Sequence, residues 1–196
     1  MDGILMAMSM EAKPFIESKI FTRLEDKPFP VYKYKTHYLI ISGIGKINAS
    51  AAAAYLINKF KIDSMYNIGS AGAATGNFKL GDILHINSVI DCDQSFNISA
   101  ESLIPDTLPN YKTESLATCD APVILAADRA AVAEKASLID MEGFAFVNAC
   151  KISNTKNYLF KIVTDTPADT NGDEIILNIK RTRNLLYQFF MENIVN

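Results

Sequence analysis

Four carboxylates stand where predicted elements begin or end. Glu11 follows the first apolar run, Asp140 and Glu142 lie at the start of a predicted helix, and Asp165 follows the last apolar run. In α/β sheets ligands bind beyond the carboxyl ends of strands, and a carboxyl group there can give or take a proton during a reaction. Taken singly, each could equally be a helix N-cap or a turn former, above all Asp165 in Thr-Asp-Thr-Pro.

Glycine-containing turns are predicted after three strands, where they would let the backbone approach a ligand. They are Ser42–Lys46, Gly69–Gly72, and a hairpin around Gly76 and Gly81. Steric demands alone also produce such turns, so each is weak by itself. The first does not extend to Gly-x-Gly-x-x-Gly, because position 48 is Asn, which disfavours a nicotinamide cofactor.

Histidines and cysteines offer no further chemistry. His37 is expected in an exposed strand and His85 in a hydrogen-bonded structural role, so no Ser-His-Asp triad is predicted. Cys92, Cys119 and Cys150 are odd in number and widely spaced, which argues against a disulfide framework and against zinc. We expect buried free thiols, no metal and no cofactor.

Composition narrows the class of protein. A chain of 196 residues, 49% hydrophobic and 21% charged, can bury one sizeable core. The net charge is −3 and the 19 Lys and Arg residues are scattered, so no nucleic-acid partner is expected. The apolar stretch Gly3–Met8 is far shorter than the roughly 20 residues that a membrane helix needs. We therefore expect no membrane partner and a cytoplasmic location.

Strands and helices alternate along the predicted order of elements, which indicates an α/β fold. Strands are predicted at Gly3–Met8, Tyr38–Ser42, Ser64–Ile68, Asp82–Ile90 and Tyr158–Val163. Helices are predicted at Glu11–Ile20, Ile47–Phe60, Glu142–Lys151 and Asp173–Glu192. The segment Asp91–Thr118 is polar and Pro-containing, so we expect a long loop there.

Six short motifs, taken together and in order, closely resemble the purine nucleoside phosphorylase and uridine phosphorylase superfamily, in particular its methylthioadenosine and adenosylhomocysteine nucleosidases. They are Ala7-Met8-x-x-Glu11, Ser42-Gly43-Ile44-Gly45-Lys46, Asn67-Ile68-Gly69-Ser70-Ala71-Gly72, Gly81-Asp82-Ile83, Asp140-Met141-Glu142 and Thr164-Asp165. The resemblance implies one domain over residues 1–196. Its fold would be a three-layer α/β/α sandwich around a mixed, partly barrel-like β-sheet.

The resemblance also assigns roles. Glu142 would hold the ribose hydroxyls, as a carboxylate can accept from both, and Met141 would lie under the sugar. Asp165 would be the general acid that protonates or hydrogen-bonds purine N7, and Glu11 the base that activates water. The remaining substrate-binding candidates are Ser70, Gly72, Lys161, Met8, Ile44 and Val123.

Hydrolysis is favoured over phosphorolysis, because phosphate needs clustered positive charge. The phosphorylases carry arginines after the first strand and before the Gly-Ser turn, where this chain has Met8–Glu11 and Asn67. The expected reaction is hydrolysis of the N-glycosidic bond of a purine nucleoside, most simply a 5′-modified adenine nucleoside, in purine salvage. A phosphorylase, a futalosine-type hydrolase and a degenerate nucleoside-binding protein remain alternatives, and the resemblance implies a homodimer.

The purine pocket departs from the family pattern. Where the nucleosidases have Asp-Ala-Phe-Ile, this chain has Asp120-Ala121-Pro122-Val123, and Pro122 can neither stack as Phe would nor donate a backbone hydrogen bond. Further residues could line an apolar 5′ pocket, although core packing is an alternative for each: Phe96, Ile98, Ile175 and Ile176. The identity of the nucleoside therefore stays open at this point.

Overall fold

The computed structural model describes residues 1–93, 102–169 and 171–195. Its strands are β1 (Asp2–Met6), β2 (Thr22–Glu25), β3 (Val31–Tyr34), β4 (His37–Ile41), β5 (Ser64–Ala73), β6 (Ile83–Asp91), β7 (Thr113–Thr118), β8 (Leu138–Asp140) and β9 (Lys156–Asp165). Its helices are α1 (Ser9–Glu17), α2 (Lys46–Phe60), α3 (Ala126–Ala133), α4 (Gly143–Ile152) and α5 (Gly172–Phe190), the last continuing into a π-turn at Met191–Val195.

The nine strands form one mixed sheet in the order β2-β3-β4-β1-β5-β8-β7-β6-β9. β9 also pairs with β5, in parallel, so the five strands β5, β8, β7, β6 and β9 close into a ring. β1 pairs in parallel with both β4 and β5, and β5 pairs in parallel with β9. The closure produces the partly barrel-like sheet implied by the resemblance.

Two pairs of helices cover the sheet and complete three layers. α2 and α4 bury one face of the sheet around Leu56 and Phe146, and α1 and α5 bury the other around Phe15 and Leu186. The alanines of α2 favour the helix and let it pack closely, and Ala52 and Ala53 are fully buried. α5 is the covering helix that its apolar periodicity predicts, and it packs this periodic face against the sheet.

Several local expectations are wrong. Gly69–Gly72 is no turn: it is the second half of β5, because that strand continues along β9. Gly76 and Gly81 flank no hairpin, since β5 does not pair with β6. The segment Asp91–Thr118 is not all loop, because its end is strand β7. The short elements β2, β3, β8 and α3 carry too weak a periodicity to have been predicted.

His37 and two cysteines also differ from expectation. His37 is buried, because β4 lies inside the sheet between β1 and β3. Cys92 and Cys119 form a disulfide, with Cα atoms 5.4 Å apart, since the parallel strands β6 and β7 end side by side. Cys150 is the expected buried free thiol. His85 has its structural role: Nδ1 bonds the Leu159 carbonyl and Nε2 accepts from an amide.

Candidate active site

A cavity of about 140 Å³ lies at the carboxyl ends of β1, β4 and β9 and beside the second half of β5. Its wall carries four carboxylates and one guanidinium among mainly apolar side chains. The charged residues are Glu11, Arg129, Asp140, Glu142 and Asp165. A cavity of this kind, rich in ionisable groups, is the place in the described chain best suited to chemistry.

Glu11 is held by donors from two elements. It sits in the first turn of α1, and its Oε2 accepts from the Met8 amide at 3.2 Å. Its Oε1 accepts from the Ser70 amide at 2.8 Å and from Ser70 Oγ at 2.5 Å. These three bonds leave roughly one of a carboxylate's four acceptor positions free, on Oε2. A buried carboxylate with one free lone pair can orient and deprotonate a water molecule.

Glu142 lies at the junction of β8 and α4, where it precedes the first helical residue. Its Oε1 accepts from the Gly45 amide at 2.8 Å, and this bond connects it to the turn before α2. Burial, and then the charge of Asp140, raise the pKa of Glu142 to about 7. Its second oxygen carries no protein hydrogen bond among the described residues and remains available for a hydroxyl ligand.

Lys161, predicted to help bind the substrate, lies behind this wall and outside the cavity lining. Its Nζ is 2.8 Å from Asp140 Oδ2, the side chain is 1% exposed, and it is not part of the cavity surface. Burial by itself lowers the pKa of Lys161, but Asp140 and Glu142 outweigh it and raise the pKa. The ammonium therefore stays charged and offsets the negative charge of Asp140 and Glu142.

Asp165 is the last residue of β9, and a bulge decides where it points. Ala71 pairs with Val163 and Gly72 with Asp165, so Thr164 is an extra residue in β9. Such bulges re-aim side chains beside active sites. Thr164 Oγ1 donates to Asp165 Oδ1 at 3.1 Å, and both residues line the cavity.

Arg129 on α3 forms a buried ion pair with Asp165 through Nη2 and Oδ2. Its Nη1 donates to the Ala73 carbonyl at 2.7 Å, and the residue is 1% exposed. Sequence reasoning missed Arg129, since no periodicity or motif marks it within its alanine-rich segment. Gly72 makes room for the pair: a Cβ there would lie 2.6 Å from Asp165 Oδ2 and 3.1 Å from Arg129 Nη1.

Glu11 and Asp165 lie at opposite ends of the cavity. A Cβ on Gly69 would lie 3.2 Å from Glu11 Oε1, and one on Gly72 would lie 2.6 Å from Asp165 Oδ2. Three residues of strand separate these glycines, which corresponds to about 10 Å. That spacing suits a ligand with a sugar at one end and a flat base at the other.

The wall near Asp165 is aliphatic. Ala121, Pro122, Val123 and Ile124 line it together with Ile139, and no aromatic residue does so in the described part of the chain. Two contacts hold the start of the segment that precedes α3. Lys46 Nζ is 3.3 Å from Asp120 Oδ1, and the adjacent Cys119 forms the disulfide with Cys92.

The cavity brings together nine of the ten predicted site residues. They are Met8, Glu11, Ile44, Ser70, Gly72, Val123, Met141, Glu142 and Asp165. Of the 5′-pocket candidates, Ile175 lines the wall and Ile176 does not, while Phe96 and Ile98 lie outside the described residues. Within residues 1–93, 102–169 and 171–195, no group of His, Cys, Asp and Glu could hold a metal ion. Over the same ranges, no helix has the length and apolar content to cross a bilayer.

Comparison with known proteins identifies the family to which the chain belongs. The family model of the phosphorylase superfamily matches residues 2–134. The chain belongs to the phosphorylase superfamily. The superfamily expected from the six motifs is thereby confirmed.

Relatives within the superfamily are nucleosidases by name. Aminodeoxyfutalosine nucleosidase of Campylobacter jejuni is 26% identical over 90% of this chain and 91% of its own length. The 5′-methylthioadenosine/S-adenosylhomocysteine nucleosidase of Staphylococcus aureus is 40% identical over 43% of this chain and 39% of its own. The solved 5′-methylthioadenosine nucleosidase of Arabidopsis thaliana superposes with a TM-score of 0.87 at 20% identity, covering 97% and 93% of the two chains. The expected fold class is confirmed.

Proposed function

We propose that this superfamily member is an N-ribosyl hydrolase that cleaves the N-glycosidic bond of a purine nucleoside. Its expected substrates are 5′-modified adenine nucleosides such as methylthioadenosine or adenosylhomocysteine. The observation that carries the proposal is the cavity itself, with Glu11 at one end, Glu142 in its wall and Asp165 at the other end. The names of the relatives support the same reaction.

The sugar would bind between Glu142 and Met141. The free oxygen of Glu142 accepts from the 2′ and 3′ hydroxyls, and Met141 packs under the ring. Glu11, oriented by Ser70, takes a proton from a water molecule whose oxygen attacks C1′. The C1′–N9 bond breaks as the ribose acquires oxocarbenium character.

Asp165 would supply the proton that the departing base needs. Arg129 occupies its Oδ2, which leaves Oδ1, beside Thr164, for the proton that passes to N7. The base then leaves neutral instead of as an anion, which is the task of a general acid. Met8, Ile44 and Ile175 offer apolar surface for a thioether or alkyl 5′ substituent.

Water is the expected nucleophile because the cavity disfavours phosphate. Four of the five charged groups in its wall are carboxylates. The fifth, Arg129, already bonds Asp165 and the Ala73 carbonyl and sits at the opposite end from Glu11. A phosphate dianion next to Glu11 would be repelled.

Product analysis tests the proposal. The purified protein is incubated with methylthioadenosine, adenosylhomocysteine, adenosine and inosine, each with and without phosphate. We expect free base and free 5-substituted ribose at the same rate in both conditions. A strict requirement for phosphate, with ribose 1-phosphate as product, would overturn the hydrolytic mechanism, and inactivity on every nucleoside would favour a binding protein.

A second candidate substrate differs only in its 5′ group. The Campylobacter jejuni relative, which matches nearly the whole chain, is an aminodeoxyfutalosine nucleosidase. Adding aminodeoxyfutalosine to the panel separates the two, because kcat/KM ranks the 5′ groups directly.

We also propose that the active form is a homodimer. Ile44 at the cavity rim is 49% exposed and Leu125 before α3 is 68% exposed, and a second copy could cover both. Light scattering on the purified protein measures its mass. A monomer with full activity would contradict the proposal.

A cytoplasmic location stays a proposal as well. The Cys92–Cys119 disulfide points the other way, because disulfides are rare in cytosolic proteins. Cell fractionation decides the location, and thiol labelling of the freshly isolated protein decides whether this pair is oxidised there.

A further inference from the structure

Lys46 lies at the start of α2 and reaches a group of three aspartates. Its Nζ is 2.5 Å from Asp91 Oδ1, 2.6 Å from Asp93 Oδ2 and 3.3 Å from Asp120 Oδ1. Asp91 ends β6, Asp93 lies two residues beyond it, and Asp120 lies two residues beyond the end of β7. One ammonium therefore joins the start of a helix to the ends of two neighbouring strands.

The position of Lys46 on its helix is unfavourable for a cation. Lys46 is the first residue of α2, and the N-terminus of a helix carries partial positive charge. The side chains of Lys46 and Asp91 are each only 14% exposed, so placing the ammonium here also costs solvation. Burial by itself lowers the pKa of Lys46, but the three carboxylates outweigh it and raise the pKa. The ammonium thus stays charged and is held in place by its acidic partners.

The residue before Lys46 contacts Glu142 directly. The Gly45 amide donates to Glu142 Oε1 at 2.8 Å, and it is the one donor to this carboxylate within the described part of the chain. Gly45 has a φ of +100°, and nothing lies within 4 Å of the place that a Cβ would take. No group packs against that side of the turn, so its position depends on the start of α2, which Lys46 connects to β6 and β7.

We propose that Lys46 is a positioning residue that fixes Glu142 for ribose binding through the Gly45 amide. The inference rests on the proposed function, in which the second oxygen of Glu142 accepts from the ribose hydroxyls. Without the ammonium, the three aspartates repel one another and the start of α2 loses this connection to the strands. The Gly45 amide then no longer holds Glu142 in one orientation, and the sugar binds less tightly.

Two nucleosides that differ in one ribose hydroxyl test the proposal. 5′-Methylthioadenosine and its 2′-deoxy analogue are compared by kcat/KM in the wild-type protein and in Lys46→Met, which keeps the length of the side chain and removes its charge. We expect the ratio of ribo to 2′-deoxy kcat/KM to fall about tenfold in this variant, mainly through KM. A hydrogen bond from a hydroxyl to a charged acceptor gives discrimination of about this size.

Three further variants separate positioning from a general loss of stability. Lys59→Met removes an ion-paired lysine at the other end of α2 and should leave the ratio unchanged. Lys46→Arg keeps the charge and should keep most of the ratio. In Glu142→Gln the ratio should already be low, and adding Lys46→Met should lower it no further. A parallel loss with both nucleosides in Lys46→Met, or a further fall in the double variant, would overturn the inference.

Amide hydrogen exchange gives a readout that needs no turnover. The Gly45 amide is protected by its bond to Glu142, so its exchange should become about tenfold faster in Lys46→Met and stay unchanged in Lys59→Met. If Lys46→Met does not fold, Asp91→Asn removes one of the carboxylates and should accelerate exchange of the same amide. Unchanged exchange in the folded variant would overturn the inference. Inactivity on every nucleoside would instead overturn the proposed function, and faster exchange would then still show that Lys46 positions Glu142.

Discussion

Asp165 and Glu142 are both buried acids, and their neighbours differ. Asp165 has a guanidinium on Oδ2 and the Thr164 hydroxyl on Oδ1. Glu142 has one amide donor, and its burial, followed by the charge of Asp140, raises its pKa to about 7. Residue-level chemistry here is therefore set by what lies within about 3 Å of each oxygen.

Replacing Asp165 by Asn should remove the proton and keep the shape. We expect kcat for base release to fall by about two to four orders of magnitude, as for loss of a general acid. KM should change far less, since the amide can still bond N7. Asp128→Asn serves as the matched control on an exposed carboxylate. Near-normal kcat in Asp165→Asn would rule the residue out as the acid.

The raised pKa of Glu142 predicts a pH dependence close to neutrality. Below about pH 7 the carboxyl is protonated and loses the lone pair that accepts from the ribose, so binding weakens as the pH falls. Between pH 8 and pH 6, kcat/KM should decrease about tenfold from this group. The residual activity of Glu142→Gln should lack this step, and a flat wild-type profile would contradict the prediction.

Among the elements, β5 supplies more of the site than any turn does. Its second half places Ser70 on Glu11 and brings Gly72 against Asp165, while the bulge in β9 aims Asp165 at the cavity. The strand pairing β5–β9 thus connects the Glu11 end of the cavity with the Asp165 end. A strand is stiffer than a loop, which keeps the two ends at a fixed separation.

A methyl group at position 72 should disturb this arrangement. The Cβ of Gly72→Ala would lie 2.6 Å from Asp165 Oδ2, so the ion pair must shift. Such overpacking costs about 1–3 kcal/mol of unfolding free energy, and kcat should fall with it. Gly76→Ala is the control, because nothing lies within 4 Å of its Cβ. Urea unfolding and initial rates on both variants measure the difference, and equal behaviour would refute the role of Gly72.

At the scale of the whole molecule, the buried charged groups beside the cavity lower the stability of the fold. The closed sheet buries Asp140, Glu142 and Lys161 together near the cavity. Removing charges from water costs free energy that the fold must supply from its two apolar cores. In the proposed function the wall of carboxylates binds the sugar and disfavours phosphate, so activity would come at a cost in stability.

Glu142→Gln should make the protein more stable at alkaline pH. The folded pKa of about 7 lies above the ordinary 4.5, so the folded state binds the proton more tightly and loses stability as the pH rises from 4.5 to 7. Glutamine has no such penalty and keeps the bond to Gly45. At pH 8 we expect a gain of about 3 kcal/mol in unfolding free energy. At pH 5 the gain should be small, and a gain independent of pH would contradict the argument.

The chain itself was enough to predict the α/β class, the principal strands and helices, and the acids of the site. Glu11, Glu142 and Asp165 could be found because each follows a local pattern, an apolar run or a helix start, within a short motif. Local periodicity and propensity act over a few residues, so a sequence displays them directly.

Contacts between distant parts of the chain were decided by the tertiary structure alone. Arg129 meets Asp165 across 36 residues, and α3, which carries it, has no strong pattern of its own. Strand pairing likewise decides three further features. These are the bulge at Thr164, the pairing of β9 with β5, and the burial of Lys161 behind Asp140. Strand pairing and side-chain burial depend on contacts with segments that are distant in the sequence. No single segment therefore contains the information that predicts them. The proposed acid, Asp165, could therefore be predicted from the sequence, whereas the neighbouring cation, Arg129, could not.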